Sequence, residues 1–284
     1  MMRVPFLKGH GTGNDFVLLP DHDASRFGPS VDPVTVRRLC DRRRGIGADG
    51  VIRVVRSAAL PAAEPGSADW FMDYRNADGS PAEMCGNGIR VLARHLLQAG
   101  LVDPSVTPLA IATRAGTRSV LVCADGDLSV DMGPARPGLS GTRVDVGHPA
   151  ASGPGTAVAM PNPHAVVEVA DLAAVGPLEA APTLRPAQLF PQGANVEFVQ
   201  RVSVDHLRMR VWERGVGETQ SCGTGVCAAA WVAMREADAP VTYRVDVPGG
   251  TLHVTQDETG SLHLRGPAVI VAEGSVDLAA LATP

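Results

Sequence analysis

Cys85-Gly86-Asn87-Gly88 and Cys222-Gly223-Thr224-Gly225 are two copies of one turn, 137 positions apart in a chain of 284 residues. Each turn runs directly into an apolar, helix-like segment, so each half of the chain carries a cysteine at a helix N-terminus. Such a thiol sits beside partial positive charge and unpaired N–H donors, which lowers its pKa toward neutrality. The same N–H groups can hold a carboxylate. Two thiols facing one carbon would form a two-base device that moves a proton from one face to the other.

Outward from the turns, the halves repeat one order of elements. The first opens with the polar stretch Gly9 to Asp15, followed by a strand over Phe16 to Leu19. Asp32 then reads as an N-cap with Pro33 at the first helical position, and Gly45 as the helix end. Strands are expected at Val51–Val55 and Trp70–Tyr74. After Cys85, residues Ile89, Leu92, Ala93, Leu96 and Leu97 keep a helical period up to Gly100. Three short strands follow, at 109–113, 119–122 and 128–132. Gly133 to Gly141 reads as a linker. In the second half, Asn162-Pro163-His164 leads into a strand at 165–169, with a short helix near Asp171. Strands are expected at 195–199 and 207–212, a helix at 226–235, and strands at 243–247, 251–254 and 262–264. Asn76 lies nine positions before Cys85, and Glu213 nine before Cys222. The stretches 57–68 and 178–193 read as irregular. The pattern predicts an α+β fold: mostly antiparallel strands in a curled sheet around one central helix in each half.

Composition narrows the function. Apolar residues make up 45% and charged residues 19% of the chain, and the net charge is −5. No basic stripe is present, so nucleic acid is not expected as a partner. The longest apolar run, Val226 to Met234, is too short to span a bilayer. Residues 1–10 lack the apolar core of a secretory signal, so a cytoplasmic protein is expected. The five cysteines contain no C-x-x-C pair, so neither a metal site nor a disulfide framework is expected. Cys40, Cys123 and Cys227 read as small core residues. Lys8 is the sole lysine, and only it could form the Schiff base of a pyridoxal phosphate enzyme. Gly9-x-Gly11-x-Gly13 precedes a strand and so is no nucleotide fingerprint.

The paired turns fit stereoinversion better than nucleophilic catalysis, which needs one thiol, or thiol–disulfide exchange, which would leave the glycines unexplained. Asn14, Asn76, Asn162 and Asn195 are turn residues by composition alone. His164 could tune a thiol, and Arg214 could clamp a carboxylate. By composition alone, His164 reads as a structural histidine more readily than as a functional one, and Glu213-Arg214 as a surface ion pair more readily than as a substrate clamp. A pyridoxal phosphate enzyme and an amino-acid-binding protein stay open on these residues.

Seven segments carry a resemblance: Lys8–Phe16, Gly45–Gly50, Asn76–Ser80, Met84–Gly88, Asn162–His164, Gly193–Asn195 and Glu213–Gly225. Together they resemble the diaminopimelate epimerases. The resemblance implies a cofactor-independent isomerase that interconverts LL- and meso-diaminopimelate, on the route to lysine and peptidoglycan. It implies two pseudosymmetric lobes, residues 1–132 with 267–284 and residues 133–266, with the active site between them. It implies Cys85 and Cys222 as base and acid, with His164 and Glu213 assisting. Gly86, Asn87, Gly223 and Thr224 would hold the reacting carboxylate. Asn14, Asn76, Asn162, Asn195, Glu213 and Arg214 would contact the small amino-acid substrate. Gly50 stands where some relatives have Gln. A homodimer is left open. Proline racemases share the fold but usually carry His where this chain has Asn87. Racemases for other amino acids keep most of these motifs.

Overall fold

The computed structural model describes residues 3–61, 68–236 and 239–282. It divides into two compact units, Met1–Val130 with Pro267–Pro284, and Asp131–Gly266.

In the first unit, strands β1 (Arg3–Gly11) and β2 (Asn14–Pro20) form a hairpin with Gly11 opposite Asn14. The glycine-rich stretch is therefore largely strand, a correction to its reading as a polar lead-in. Thr12 (φ 49°) and Gly13 (φ 80°) are both left-handed, as a tight two-residue hairpin turn requires. The other two glycines clear room for a helix. A Cβ on Gly9 would lie 2.7 Å from Val91, and one on Gly11 would lie 3.1 Å from Arg90. Strand β2 pairs in parallel with β3 (Gly50–Arg56), which pairs antiparallel with β4 (Trp70–Asn76). Helix α1 (Pro33–Cys40) starts as expected, with Asp32 accepting from Thr35 N–H. It stops at Cys40 rather than Gly45, because the Asp41 carboxylate reaches forward to accept from the Arg43 and Arg44 N–H groups. The strand Val269–Asp277, absent from the strand expectations, pairs antiparallel with β1.

Helix α2 (Gly86–Gln98) is the centre of this unit. Ile89, Val91, Leu92, Ala93 and Leu96 are all fully buried. Burial of each larger side chain stabilises by about 1.5–3 kcal/mol. Their burial around the helix, not on one stripe, follows from strands packing on several of its sides.

In the second unit, strand Asn162–Glu168 pairs antiparallel with Thr156–Met160 and in parallel with Asn195–Ser203. The expected strand at 165–169 thus starts earlier and contains His164. Strand His206–Glu213 pairs with Asn195–Ser203, and the strands Thr242–Val247, Gly250–Gln256 and Ser261–Gly266 form a meander. The central helix is α3 (Gly223–Met234), with Val226, Cys227, Ala228 and Ala230 fully buried. Asp171 caps a short 3-10 turn, Leu172–Val175.

Other differences are local. The strand Leu128–Pro134 extends into the expected linker, and Arg136–Pro137 pairs with Val158 and Ala159. The 178–193 stretch holds a short strand, Thr183–Arg185, and a 3-10 turn, Ala187–Leu189. Ser57–Ala59 is a 3-10 turn, and residues 62–67 of that expected loop lie outside the described residues. Cys40 and Cys227 are buried, whereas Cys123 sits half-exposed in a hairpin turn whose Gly126 N–H donates to its carbonyl.

Candidate active site

Each central helix begins at one of the two cysteines. Cys85 is the N-cap of α2, with extended backbone (φ −140°, ψ 119°), and its sulfur accepts from Gly88 N–H at 3.4 Å. Cys222 is the N-cap of α3, again extended (φ −122°, ψ 112°). An N-cap side chain points back over the first helical turn, where the N–H groups have no helical partner. The third residue after each cysteine is packing-limited in both turns. A Cβ on Gly88 would lie 2.9 Å from Met72 Cε and 3.0 Å from Ile52 Cδ1. A Cβ on Gly225 would lie 2.6 Å from Glu197 Oε1. The last glycine of each turn therefore serves close packing as well as backbone exposure.

Around Cys85 the first unit gathers Asn14, Asn87, Asp49 and Arg90. The Cys85 thiol donates to Asn14 Oδ1 at 3.6 Å, and Asn87 Nδ2 donates to the same oxygen at 3.2 Å. Asn14 Nδ2 donates to Asp49 Oδ2 at 2.8 Å. Arg90, fully buried, donates to Asn87 Oδ1 at 2.9 Å and to the Gly86 carbonyl at 3.2 Å. Asp49 belongs to a charged cluster. Arg42 bridges Asp49 and Asp15, and Lys8 pairs with Asp15 at 2.6 Å and donates to the Gly47 carbonyl. The Arg42 and Lys8 hydrogen bonds outweigh burial and hold the Asp15 carboxyl at about 2. The Lys8 amine is thereby committed to an ion pair. Asn76, at the end of β4, donates to Ser80 Oγ at 3.1 Å within its own turn.

Around Cys222 the second unit gathers Asn195 and Thr224. Asn195 Nδ2 lies 3.9 Å from the sulfur and the Thr224 hydroxyl 3.4 Å from it. The Asn195 carbonyl oxygen accepts from Arg214 N–H at 2.9 Å, which turns its NH2 toward the thiol. The Arg214 side chain itself is exposed. Glu213 accepts from the Thr219 hydroxyl at 2.5 Å. His164 is fully buried between Glu197 Oε1, 2.7 Å from Nδ1, and Asn162 Oδ1, 2.9 Å from Nε2. Burial, then the Glu213 and Glu197 carboxylates, push the Cys222 thiol well above the ordinary cysteine range, against the pull of Thr224 and the Gly225 N–H. This corrects the expectation of a lowered pKa for Cys222 in the substrate-free protein: desolvation outweighs the helix terminus.

Sequence reasoning passed over three residues here. Asp49 lies inside the Gly45–Gly50 segment without an assigned role. Arg90 is a fully buried charge on α2. Glu197 is a fully buried carboxylate between Val196 and Phe198, two positions from Asn195 and so on the same face. A charged side chain among apolar neighbours is the signal that would have found the last two. Gly50 admits no side chain: a Cβ there would lie 2.6 Å from both the Arg75 carbonyl oxygen and the Tyr74 ring.

The family profile described as diaminopimelate epimerase matches residues 6–137 and 156–276. A Streptomyces coelicolor protein named diaminopimelate epimerase is 50% identical, over 98% of this chain and 96% of that protein. A Thermobifida fusca protein of the same name is 51% identical, over 97% of this chain and 99% of that protein. Among solved structures, a hydroxyproline epimerase from Agrobacterium vitis aligns with a TM-score of 0.67 at 16% identity, covering 96% of this chain and 92% of that one. A phenazine biosynthesis protein of the PhzF family from Bacillus anthracis aligns with a TM-score of 0.65 at 17% identity, covering 97% and 99%. These two structures establish the shared fold. With the family profile spanning most of its length and half its residues identical to named relatives, the chain belongs to the diaminopimelate epimerase family.

Proposed function

We propose that this chain is a diaminopimelate epimerase that interconverts the LL- and meso-isomers by a two-thiol transfer of the α-proton. The observation that carries the reading is the matched pair of N-cap cysteines, one at the head of each buried helix, in a chain half identical to proteins of that name.

In this mechanism one thiolate removes the α-proton as the opposite thiol delivers its own proton to the other face. One C–H bond breaks and one forms, one S–H forms and one breaks, and no electron is transferred. The first-turn N–H groups of Gly86, Asn87, Gly223 and Thr224 stabilise the charge that develops on the substrate carboxylate. His164 and Glu213 assist the proton transfer. Asn14, Asn76, Asn162, Asn195, Glu213 and Arg214 hold the substrate. Each of the two units acts as one lobe and supplies one thiol. No pyridoxal cofactor takes part, a reading supported by the engagement of Lys8 with Asp15 and the Gly47 carbonyl. Among the described residues no helix is long and apolar enough to cross a membrane. The proposed reaction, an amino-acid biosynthetic step, implies the cytoplasm as its compartment. A homodimer is the assembly left for sedimentation to test.

The deciding experiment is deuterium exchange at the α-carbon over a panel of amino acids. Exchange is expected with diaminopimelate and lost in both Cys85→Ala and Cys222→Ala. Exchange into proline or histidine but not diaminopimelate would overturn the substrate. Full turnover in either alanine variant would overturn the two-thiol mechanism.

A further inference from the structure

We infer that Asp49 and Arg90 are positioning residues that lock the side-chain amides of Asn14 and Asn87, so that an oxygen acceptor and not an NH2 donor faces the Cys85 thiol. The inference rests on the reading of Cys85 as a proton-transferring thiol.

An asparagine amide presents either of two chemically opposite ends, and a half-turn exchanges them. Only a neighbour of single polarity fixes which end points where. The chain through this site begins and ends on such neighbours. An ionised carboxylate only accepts, so the end of Asn14 that lies 2.8 Å from Asp49 Oδ2 is its NH2. A guanidinium only donates, so the end of Asn87 that lies 2.9 Å from Arg90 Nη2 is its oxygen. The Asn87 NH2 then meets the Asn14 oxygen at 3.2 Å, donor to acceptor. The two anchors give the same answer independently. The Asn14 oxygen is left facing the Cys85 sulfur at 3.6 Å.

Both anchors are themselves held. Asp49 Oδ2 also accepts from Asp15 N–H at 3.2 Å, and its Oδ1 accepts from Arg42 at 2.7 Å. Its own N–H donates to Asp15. Arg90 has no exposed surface, and Gly11 leaves the space its Nη2 occupies. The charged groups that face this cluster are Lys8 from β1, Asp15 from β2, Arg42 and Asp49 from the segment after α1, and Arg90 from α2.

The consequence is chemical. An acceptor beside a sulfur favours the protonated thiol, whereas an NH2 in its place would favour the thiolate. The lock therefore sets an acceptor against the Cys85 sulfur, opposing the Gly88 N–H that donates to it at 3.4 Å. The second unit shows the opposite arrangement, with the Asn195 oxygen taken by Arg214 N–H and its NH2 turned to Cys222.

The test measures the pH dependence of Cys85 alkylation by iodoacetamide, read by peptide mass spectrometry, together with kcat and KM. In Asp49→Ala the Asn14 amide loses its carboxylate anchor and keeps only the neutral 3.2 Å contact from Asn87, so it turns for part of the time. The alkylation midpoint of Cys85 should fall by about one pH unit, and kcat/KM by about tenfold. Asp49→Asn can still present its own oxygen to Asn14, because the exposed Arg42 can swing away, and should restore the alkylation midpoint to that of the parent. A folded Asp49→Ala protein, checked by circular dichroism, with an unmoved Cys85 midpoint would overturn the inference. So would an Asp49→Asn midpoint as low as that of Asp49→Ala. If Asp49→Ala does not fold, Arg90→Met tests the other anchor, and an unmoved midpoint there is equally fatal. The alkylation readout needs no turnover, so it stands or falls separately from loss of exchange in Cys85→Ala, which tests the two-thiol reading itself.

Discussion

Replacing Gly225 by Ala pits helix propensity against packing, and the structure says which wins. In the interior of a helix, Ala is favoured over Gly by about 0.8–1.0 kcal/mol. Gly225 is the third residue of α3, where that gain is available only in part. Against it, the new Cβ would lie 2.6 Å from Glu197 Oε1 and 3.2 Å from both Cδ and Cγ of the same side chain. Such contacts must open by roughly half an ångström or more before they stop being repulsive. The carboxylate has little freedom to move. Its Oε1 is 2.7 Å from His164 Nδ1, and both side chains are fully buried. Overpacking alone costs about 1–3 kcal/mol. Breaking a buried charged contact outright costs about 3–5 kcal/mol. Gly225→Ala should therefore destabilise the protein by about 1–3 kcal/mol even if the carboxylate yields without leaving His164. Urea unfolding followed by tryptophan fluorescence reads this, since Trp231 lies on α3 itself. The control is a double-mutant cycle with Glu197→Ala, in which the penalty at position 225 should disappear because the side chain it collides with is gone. A Gly225→Ala protein as stable as its parent would refute the reasoning, as would a penalty that persists without Glu197.

Gly88→Ala should be milder, below about 1.5 kcal/mol, because the atoms it meets are the flexible tips of Met72 and Ile52; the same unfolding assay compares the two. Gly50→Gln should destabilise by about 1–3 kcal/mol, since its Cβ meets the backbone oxygen of Arg75, and should leave KM no better than in the parent. In the substrate-free protein, Cys222 should be alkylated only above the ordinary thiol range, because burial and two carboxylates raise its pKa, whereas urea-unfolded protein should react at the ordinary pH. The sign for stability follows: the folded pKa exceeds the unfolded one, so this thiol's contribution is complete below the unfolded pKa and is lost as pH rises from there. Asp15 has the opposite sign. Its folded pKa is lowered from 3.8 to about 2, so its contribution is complete above the unfolded value and lost as pH falls toward 2. Asp15→Asn should therefore be less stable than the parent at pH 7, with the gap closing in acid-unfolding curves.

Local chemistry was legible in the sequence wherever one residue's own preference decides the backbone. Asp32-Pro33 announced the start of α1, the glycine-rich turns announced the heads of α2 and α3, and periodicity located most strands, because capping and side-chain period act over a few residues. The ends were less legible: α1 stops at Cys40 because of a side-chain bond from Asp41 that competes with the helix. Gly9 and Gly11 could be counted in the chain, but only the packing of α2 against β1 shows why a side chain is barred there. The strand Val269–Asp277 depends on β1, more than 250 positions away, and no local pattern carries such a pairing.

The family, the two thiols and most of the polar candidates were therefore present in the sequence alone, since residue identity and spacing specify chemical type. Tertiary structure decided which groups share an environment. It joined Asp49 and Asn87 to Asn14, set Glu197 against both His164 and Gly225, and buried Cys222 deeply enough to reverse the expected direction of its pKa. Desolvation and hydrogen-bond polarity depend on what surrounds an atom in space, and those surroundings come from segments far apart along the chain.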